Sequence, residues 1–346
     1  MNSPLRFATI FLSVGVFLLF IWISRSIFIA AFLGILFAVS IMPAVEWLHR
    51  FRVPRGLGAA AIVALVFALL AGIAVLLAPV LQQQGVELQQ KLPEAIDRID
   101  RELLKRHILP NAADAATQQH SPLRGILRQQ AGAVIPYLFP FFSTTIASMT
   151  GLILVIFLTI FFAADPKTYT EGILHLLPRA HRERGGEVLA TMGRSLRAWL
   201  VARSIAMVTI GAIVTAVMAI LGVRASVALG VIAGLLEFVP VFGPIIGAIP
   251  AIALGFVDSP QKALAVLIAF VIIQQLEGNV LIPLLLQKAV EVPPALSLIG
   301  IASLGIVLGV LGVVIAEPLV AVALVAVKML YVEPVRHDAT VQPETV

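Results

Sequence analysis

The stretch from Gly230 to Pro294 most constrains what this chain can fold into, because it is almost wholly apolar and yet contains charge. Its two carboxylates are Glu237 and Glu277, and residues that break helices stand beside each. Those residues are Pro240, Gly243 and Pro244 after the first acid, and Gly278 and Pro283 after the second. An apolar segment with an interrupted backbone and a buried acid is typical of membrane transport sites. The stretch therefore predicts such a site inside a membrane.

The composition excludes an ordinary soluble protein. Of the 346 residues, 60% are hydrophobic and only 12% are charged, whereas soluble domains are about a quarter charged. The mean hydropathy of +1.03 is too high for a buried core to explain, because the surface of a soluble fold needs charge. We therefore predict an all-α, polytopic integral membrane protein with about eight transmembrane helices, some of them broken or re-entrant in the C-terminal half.

Eight apolar runs are candidates for membrane spans, since a span needs about 20 apolar residues. They cover residues 7–23, 27–45, 57–80, 141–164, 201–222, 225–257, 262–283 and 296–327. We interpret the first as an uncleaved span rather than a signal peptide, because no cleavage site of small residues follows it. The run at 225–257 is too long for one upright span and too short for two. We predict one broken span there, with a re-entrant hairpin as the alternative.

The spans divide the chain into four segments. We predict an N-terminal three-span unit at 1–80, an extracytoplasmic amphipathic helical segment at 81–140, a transport core at 141–330 and a cytoplasmic tail at 331–346. Basic residues concentrate in short cytoplasmic loops, so the basic loop at 165–200 and both termini are predicted to be cytoplasmic. The amphipathic segment is expected to pack on its own protein, with a membrane-surface or oligomer contact as the alternative.

The intramembrane acids are the candidate functional groups. Glu277 is the best placed, because Gln274 shares its helix face at i−3, and Gln275 and Asn279 share another face. An ionised acid at mid-bilayer costs about 2.5–3.5 kcal/mol, so such a group is protonated, paired or hydrated. Proton uptake by a carboxylate is also the usual device for coupling transport to a gradient. We predict that Glu277, Glu237 and the three amides bind the substrate or ion.

Two structural alternatives stay open for these acids. Glu277 could instead be a hydrogen-bond clamp between helices, and Glu237, which the sequence leaves alone at its break, could only cap that break. Other chemistry is excluded by residue type. The chain has no cysteine, its six histidines fall outside the apolar runs, and it has no phosphate-binding loop. We therefore predict no enzymatic activity, no cofactor and no metal site.

Four motifs resemble those of the autoinducer-2 exporter family of bacterial permeases. They are Pro-Ala-Val-Glu-Trp-Leu from Pro43, Gly-Leu-Leu-Glu-Phe-Val-Pro-Val-Phe-Gly-Pro from Gly234, Gln-Gln-Leu-Glu-Gly-Asn-Val-Leu-Ile-Pro from Gln274 and Val-Pro-Pro-Ala-Leu from Val292. The resemblance covers nearly the whole chain and implies an inner-membrane secondary transporter. Members have been linked to autoinducer-2 export and others to sodium/proton antiport. One departure is Arg203, where many relatives have a Gly-Gln pair at the start of the fifth span.

The sequence and the resemblance together predict a permease that exports a small polar solute, such as a quorum-sensing signal, coupled to an ion gradient. A sodium (or lithium)/proton antiporter is one alternative, and a non-transporting membrane scaffold or regulator is another. The expected partners are the lipid bilayer, the solute, and protons or sodium. No nucleic acid is expected, because a net charge of +5 suits basic cytoplasmic loops. Homo-oligomerisation is left open.

Overall fold

A computed structural model describes residues 19, 22–105, 145–240, 242–285 and 292–333. Most of the predicted first span, residues 106–140 of the amphipathic segment and most of the predicted tail lie outside the described residues. In the part described, the chain is helical and contains no strand. The predicted all-α class is confirmed.

Eleven α-helices are described, together with one 3₁₀ turn and two π-helical turns. They are α1 (Arg25–His49), α2 (Arg55–Lys105), α3 (Thr145–Ala164), α4 (Pro166–His175), the 3₁₀ turn Arg179–His181, α5 (Arg182–Ile220), α6 (Ser226–Leu236), α7 (Phe242–Asp258), α8 (Pro260–Leu276), the π turn Glu277–Leu281, α9 (Ile282–Leu285), α10 (Pro294–Leu308), α11 (Val310–Val327) and the π turn Lys328–Val332. Helix α2 continues from a predicted span into the amphipathic segment without a break.

Five of the described helical segments are long and apolar enough to cross a membrane. They are Arg25–His49, Arg55–Val80, Arg179–Ile220, Pro260–Leu285 and Val310–Val332. A sixth is possible if Gly151–Ala164 and Pro166–His175, which meet at 84°, count as one span. At this bend the Asp165 carboxylate accepts hydrogen bonds from the hydroxyl and the backbone N–H of Thr168. This N-cap starts α4 with Pro166 at its first position, where proline lacks only a redundant donor.

The segment predicted as a loop between two spans, residues 165–200, is mostly helical. Helix α5 runs unbroken over 39 residues, which is about 58 Å at the α-helical rise and longer than the membrane is thick. The sequence analysis treated the basic residues at 165–200 as a loop and began the next helix at residue 201. Charge marks where a helix leaves the lipid, but it does not stop the helix, and no proline interrupts residues 182–220.

The predicted last span, residues 296–327, is a helical hairpin instead. Helices α10 and α11 are antiparallel, since Gly305 lies against Val313 and Gly300 lies against Val320. The chain reverses at Gly309, whose φ of +67° and ψ of −148° belong to a backbone region that is almost restricted to glycine. The uniform apolar character of this stretch hid the reversal, because a single glycine is common within spans.

Residues 225–257 also form a helical hairpin, which differs from the single broken span that was predicted. Whether this hairpin is re-entrant in the membrane stays a prediction. Helices α6 and α7 run antiparallel, with Gly247 against Ala233 and Gly243 against Leu236. Helix α6 has only 11 residues, which is about 16 Å and too short to cross about 30 Å of hydrocarbon.

The chain forms two compact units. The first combines Met1–Val66, Ile146–Leu200 and Lys288–Val346, and the second combines Phe67–Thr145 and Val201–Gln287. A small core in the first unit joins α1, α2 and α3 through Ala38, Ala59 and Ala163. The four segments predicted from membrane crossings stay a prediction. All the candidate site residues belong to the second unit.

Candidate functional site

The α6–α7 hairpin is fixed at its open end by Lys262 of α8. Its Nζ donates to the carbonyl of Gly222 at 2.9 Å and to the Asp258 carboxylate at 2.6 Å. Gly222 precedes α6 and Asp258 ends α7, so both feet of the hairpin lie beside the start of α8. The turn that carries Glu237 and Pro240 therefore lies at the opposite, closed end.

Close backbone contacts join the hairpin to α5. A Cβ atom at Gly230 would lie 1.8 Å from Thr215 Oγ1 and 2.5 Å from the carbonyl oxygen of Gly211. At Gly234 it would lie 2.6 Å from the carbonyl oxygen of Met207. Helices in lipid gain little from the hydrophobic effect and associate through close packing of small residues. The successive contacts show that α5 and α6 are antiparallel, which brings the middle of α5, N-terminal to Met207, to the closed end of the hairpin.

A buried ion pair occupies that closed end. Nη1 of Arg203, in α5, lies 3.1 Å from Oε1 of Glu237, the residue that follows α6. The two side chains are 7% and 1% exposed. An acid at a helix C-terminus opposes the helix dipole, and the guanidinium offsets that repulsion. The sequence had suggested that Glu237 is alone at its break. The structure instead gives it Arg203 as a partner.

Glu277 begins the π-helical turn that follows α8. The residue is 6% exposed, and its carboxylate accepts a hydrogen bond from Nε2 of Gln274 at 3.2 Å. Helices α7 and α8 both have 17 residues and are antiparallel, with Gly255 against Ala263. By length, Glu277 and Phe242 both lie about 25 Å from the open end. Glu277 and the turn at Glu237 therefore lie toward the same end of the hairpin.

The amides around Glu277 form two groups rather than one cluster. Gln274 bonds the buried acid, whereas Asn279 Nδ2 donates to Gln275, to its backbone oxygen at 2.9 Å and its side-chain Oε1 at 3.0 Å. Gln274, Gln275 and Asn279 are all exposed, and Glu277 is the buried residue of the four. The i, i+3 and i, i+4 pairs expected from the sequence are both present, on different faces as their spacing indicates.

The sequence is similar to transport proteins over nearly its whole length. Residues 11–331 match the family model described as "AI-2E family transporter". The chain belongs to the AI-2E transporter family. Two relatives from Bacillus subtilis (strain 168), YrrI and YueF, are named as candidate transport proteins. YrrI is 26% identical over 86% of this chain and 85% of its own length. YueF is 28% identical over 87% of this chain and 83% of its own length.

A third relative, MT0215 of Mycobacterium tuberculosis (strain CDC 1551 / Oshkosh), is also named as a candidate transport protein. It is 23% identical over 85% of this chain and 80% of its own length. The family and these names support a multi-pass membrane transport protein in the lipid bilayer, and they favour a non-enzymatic role.

The predicted helix breaks differ in kind. Pro240 lies in the turn between α6 and α7, and Gly243 and Pro244 lie in the first turn of α7. At Gly278 the chain changes helical pitch in the π turn instead of breaking, and Pro283 lies in the following α9. Short π-helical turns are rare and often occur at functional sites. Only the first of the two predicted breaks reverses the chain.

Arg203 is the residue of this site that the sequence reasoning did not assign. It was noted as a departure from the family pattern, and the available signal was its charge at the start of an apolar run. A buried cation needs a partner, and Glu237 was one of few intramembrane acids that could supply it. The distance of 34 positions between the two residues gave no local spacing to connect them.

Proposed function

We propose that this AI-2E transporter is a secondary active permease that exports a small polar solute, such as a quorum-sensing signal, and that Glu277 carries the coupling proton. The observation that supports this most is the burial of the Glu277 carboxylate against an amide. The other buried acid of the unit has a cation 3.1 Å away, which offsets its charge without a proton.

Gln274, the hydrogen-bond partner of Glu277, can bond a carboxyl group in both its protonated and its ionised state. A glutamine side chain has both N–H donors and a carbonyl acceptor. Gln274 can therefore donate to the carboxylate, as its 3.2 Å contact indicates, and can accept from the protonated acid after its amide rotates. Neither protonation state of Glu277 loses its hydrogen bond. A fixed cation in the same place would favour the charged state alone.

The backbone around Glu277 also suits a group that changes partners. The acid is the first residue of the π turn Glu277–Leu281, where the hydrogen-bonding pattern of the helix shifts from i−4 to i−5. Such a turn can move along a helix at a smaller cost than unwinding it, because the peptide groups exchange one intrahelical partner for another. We propose that solute and proton alternate at this turn.

Sodium/proton antiport is the second candidate function. It is favoured by the Glu277 carboxylate and the side-chain amide of Gln274, since hard cations bind carboxylate and amide oxygens. Nε2 of Gln274 lies 3.2 Å from the carboxylate, and the same amide could turn its oxygen to a cation. Glu237 is the less suitable acid for sodium, because Arg203 would repel a cation there.

Flux in proteoliposomes separates these functions. The full chain is reconstituted, a pH gradient is imposed, and a panel of polar metabolites, sodium and lithium is offered while internal pH is followed with a dye. Export coupled to protons predicts solute movement that dissipates the gradient, whereas antiport predicts dissipation by sodium or lithium alone. A protein that moves none of the panel, with or without a gradient, would favour the scaffold alternative and contradict the proposal.

A further inference from the structure

The Arg203–Glu237 pair is buried, and a buried ion pair contributes little to the stability of a fold. Both side chains are more than nine-tenths buried. Removing two charges from water costs several kcal/mol per ion, and well-packed apolar residues are often as stable as such a pair. An ion pair at this depth is therefore better explained by a role that uses one of its charges.

The pair also lies at the point of the second unit where the backbone changes direction. Glu237 follows the last residue of α6. Gly243 of α7 packs closely against the end of α6, since a Cβ atom added at Gly243 would lie 2.0 Å from the carbonyl oxygen of Leu236. Rotation of the Glu237 side chain would separate the two charges and leave both helices intact. Arg203 would then stay in the middle of α5.

The sign of the fixed charge selects the ligand. A guanidinium attracts anions, and its planar set of N–H donors matches carboxylate and phosphate oxygens. The contact with Glu237 shows that Arg203 accommodates a carboxylate at this position. Once Glu237 turns away, the same guanidinium presents a buried, positively charged site to a solute.

We infer that the transported solute carries a carboxylate or phosphate group and that this group binds Arg203 in place of Glu237. The inference rests on the proposed transport function, because it names the class of solute for that site. Glu237 is then an internal competitor that neutralises Arg203 while the site has no solute. Arg203 is the residue that recognises the anion.

Equilibrium binding to the full chain in a neutral detergent tests this without any gradient. Thermal unfolding is followed against the concentration of lactate or glycerol 3-phosphate, with lactamide and glycerol as neutral analogues and ionic strength held constant with sodium chloride. A ligand that binds only the folded state raises the unfolding midpoint by mass action. The anions are expected to raise the midpoint, and the neutral analogues are not.

Three variants assign the effect to the pair. Glu237→Gln removes the internal competitor and is expected to tighten anion binding by about tenfold or more, because the anion no longer has to displace a carboxylate from Arg203. The double variant with Arg203→Gln and Glu237→Gln removes both buried charges and is expected to fold and to lose the anion effect. Asp258→Asn is the matched control, since it removes the carboxylate partner of the partly exposed Lys262, and its anion affinity is expected to equal that of the unmodified protein.

The outcomes are distinct. The inference is supported if anions raise the unfolding midpoint of the unmodified protein or of Glu237→Gln and do not raise that of the double variant. It is also supported if Glu237→Gln folds only when an anion is present. The inference is overturned if neither protein responds to anions, if the double variant responds equally, or if Asp258→Asn tightens binding as much. It is also overturned if phosphatidylglycerol in nanodiscs stabilises the protein through Arg203 while the soluble anions do not, because the ligand would then be a lipid headgroup. Failure here would leave proton-coupled transport of a neutral solute intact.

Discussion

The ammonium of Lys262 lies 2.9 Å from the carbonyl oxygen of Gly222, which precedes it by 40 positions. This contact brings the start of α6 and the end of α7 to the same end of α8. The hairpin therefore enters and leaves from one side, and its closed end carries the Arg203–Glu237 pair.

Cysteine labelling tests this path, because the chain contains no native cysteine. Arg224→Cys and Gln261→Cys place exposed thiols at the two feet of the hairpin. Both are expected to react with a membrane-impermeant maleimide from the same side of the membrane. Leu284→Cys, at the far end of the apolar segment Pro260–Leu285, is the control and is expected to react from the other side. If residues 224 and 261 reacted from opposite sides of the membrane, the result would support the single broken span and contradict the hairpin.

Gly230→Ala should destabilise the second unit. The added Cβ would overlap Thr215 Oγ1 and the carbonyl of Gly211, and overpacking costs about 1–3 kcal/mol. Gly151→Ala is the matched control, since a Cβ there meets nothing within 4 Å, and alanine favours a helix over glycine. Thermal unfolding in detergent should rank Gly230→Ala below the unmodified protein and Gly151→Ala at or above it. Equal midpoints for the two variants would show that α5 and α6 do not pack as described.

Gly309→Ala should destabilise the α10–α11 hairpin for a different reason. A Cβ at this residue would meet nothing within 4 Å, but its φ of +67° lies in a region where side chains are strained by about 1–3 kcal/mol. The expected result is a lower unfolding midpoint without a steric clash. If Gly309→Ala unfolded at the same temperature as Gly151→Ala, the chain would have to continue through residue 309 in one direction.

The capping of α4 gives a prediction of pH dependence. The hydroxyl and the backbone N–H of Thr168 stabilise the Asp165 carboxylate and hold its pKa below the ordinary value of 3.8. Because the folded pKa is the lower one, the capping stability is fully present above 3.8 and is lost as pH falls through the folded value. Asp165→Ala should therefore speed hydrogen exchange in α4 equally at pH 6 and pH 7, whereas Asp165→Asn, which keeps an acceptor, should change it less. Equal exchange in Asp165→Ala and the unmodified protein would show that the carboxylate does not cap α4.

The fold class and the hydrogen-bonded amide pairs were predictable from the sequence because they rest on local properties. Apolar content sets the class, and spacing along a helix sets the contacts of Gln274 with Glu277 and of Gln275 with Asn279. These interactions depend on the geometry of one helix alone. No information about other helices was needed to expect them.

The two hairpins were less predictable because a reversal in an apolar stretch leaves little trace. At Gly309 the only signal is one glycine among many. At 237–244 the signal was strong, since Glu237, Pro240, Gly243 and Pro244 occur together, but a bend and a reversal use the same residues. Packing of Gly243 and Gly247 of α7 against Leu236 and Ala233 of α6 decides between them, and that contact between two helices is not encoded in local spacing.

The partner of Glu237 could not be assigned because it is a long-range contact. Arg203 stands at the start of an apolar run, where a cation normally extends to the membrane surface. Helix α5 instead continues as one helix, 39 residues long, so Arg203 lies in its middle. Predicting the pair required the length of α5 and the antiparallel arrangement of α6.

The role of Glu277 is tested most directly by a single comparison in proteoliposomes, with a solute that the flux panel has identified. Glu277→Gln keeps the size and hydrogen bonding of the side chain but cannot exchange a proton, and Glu171→Gln, at an exposed position in α4, is the control. The account predicts that Glu277→Gln loses gradient-driven flux while still binding solute, and that Glu171→Gln behaves as the unmodified protein. Gradient-driven flux that is unchanged in a folded Glu277→Gln protein would contradict it.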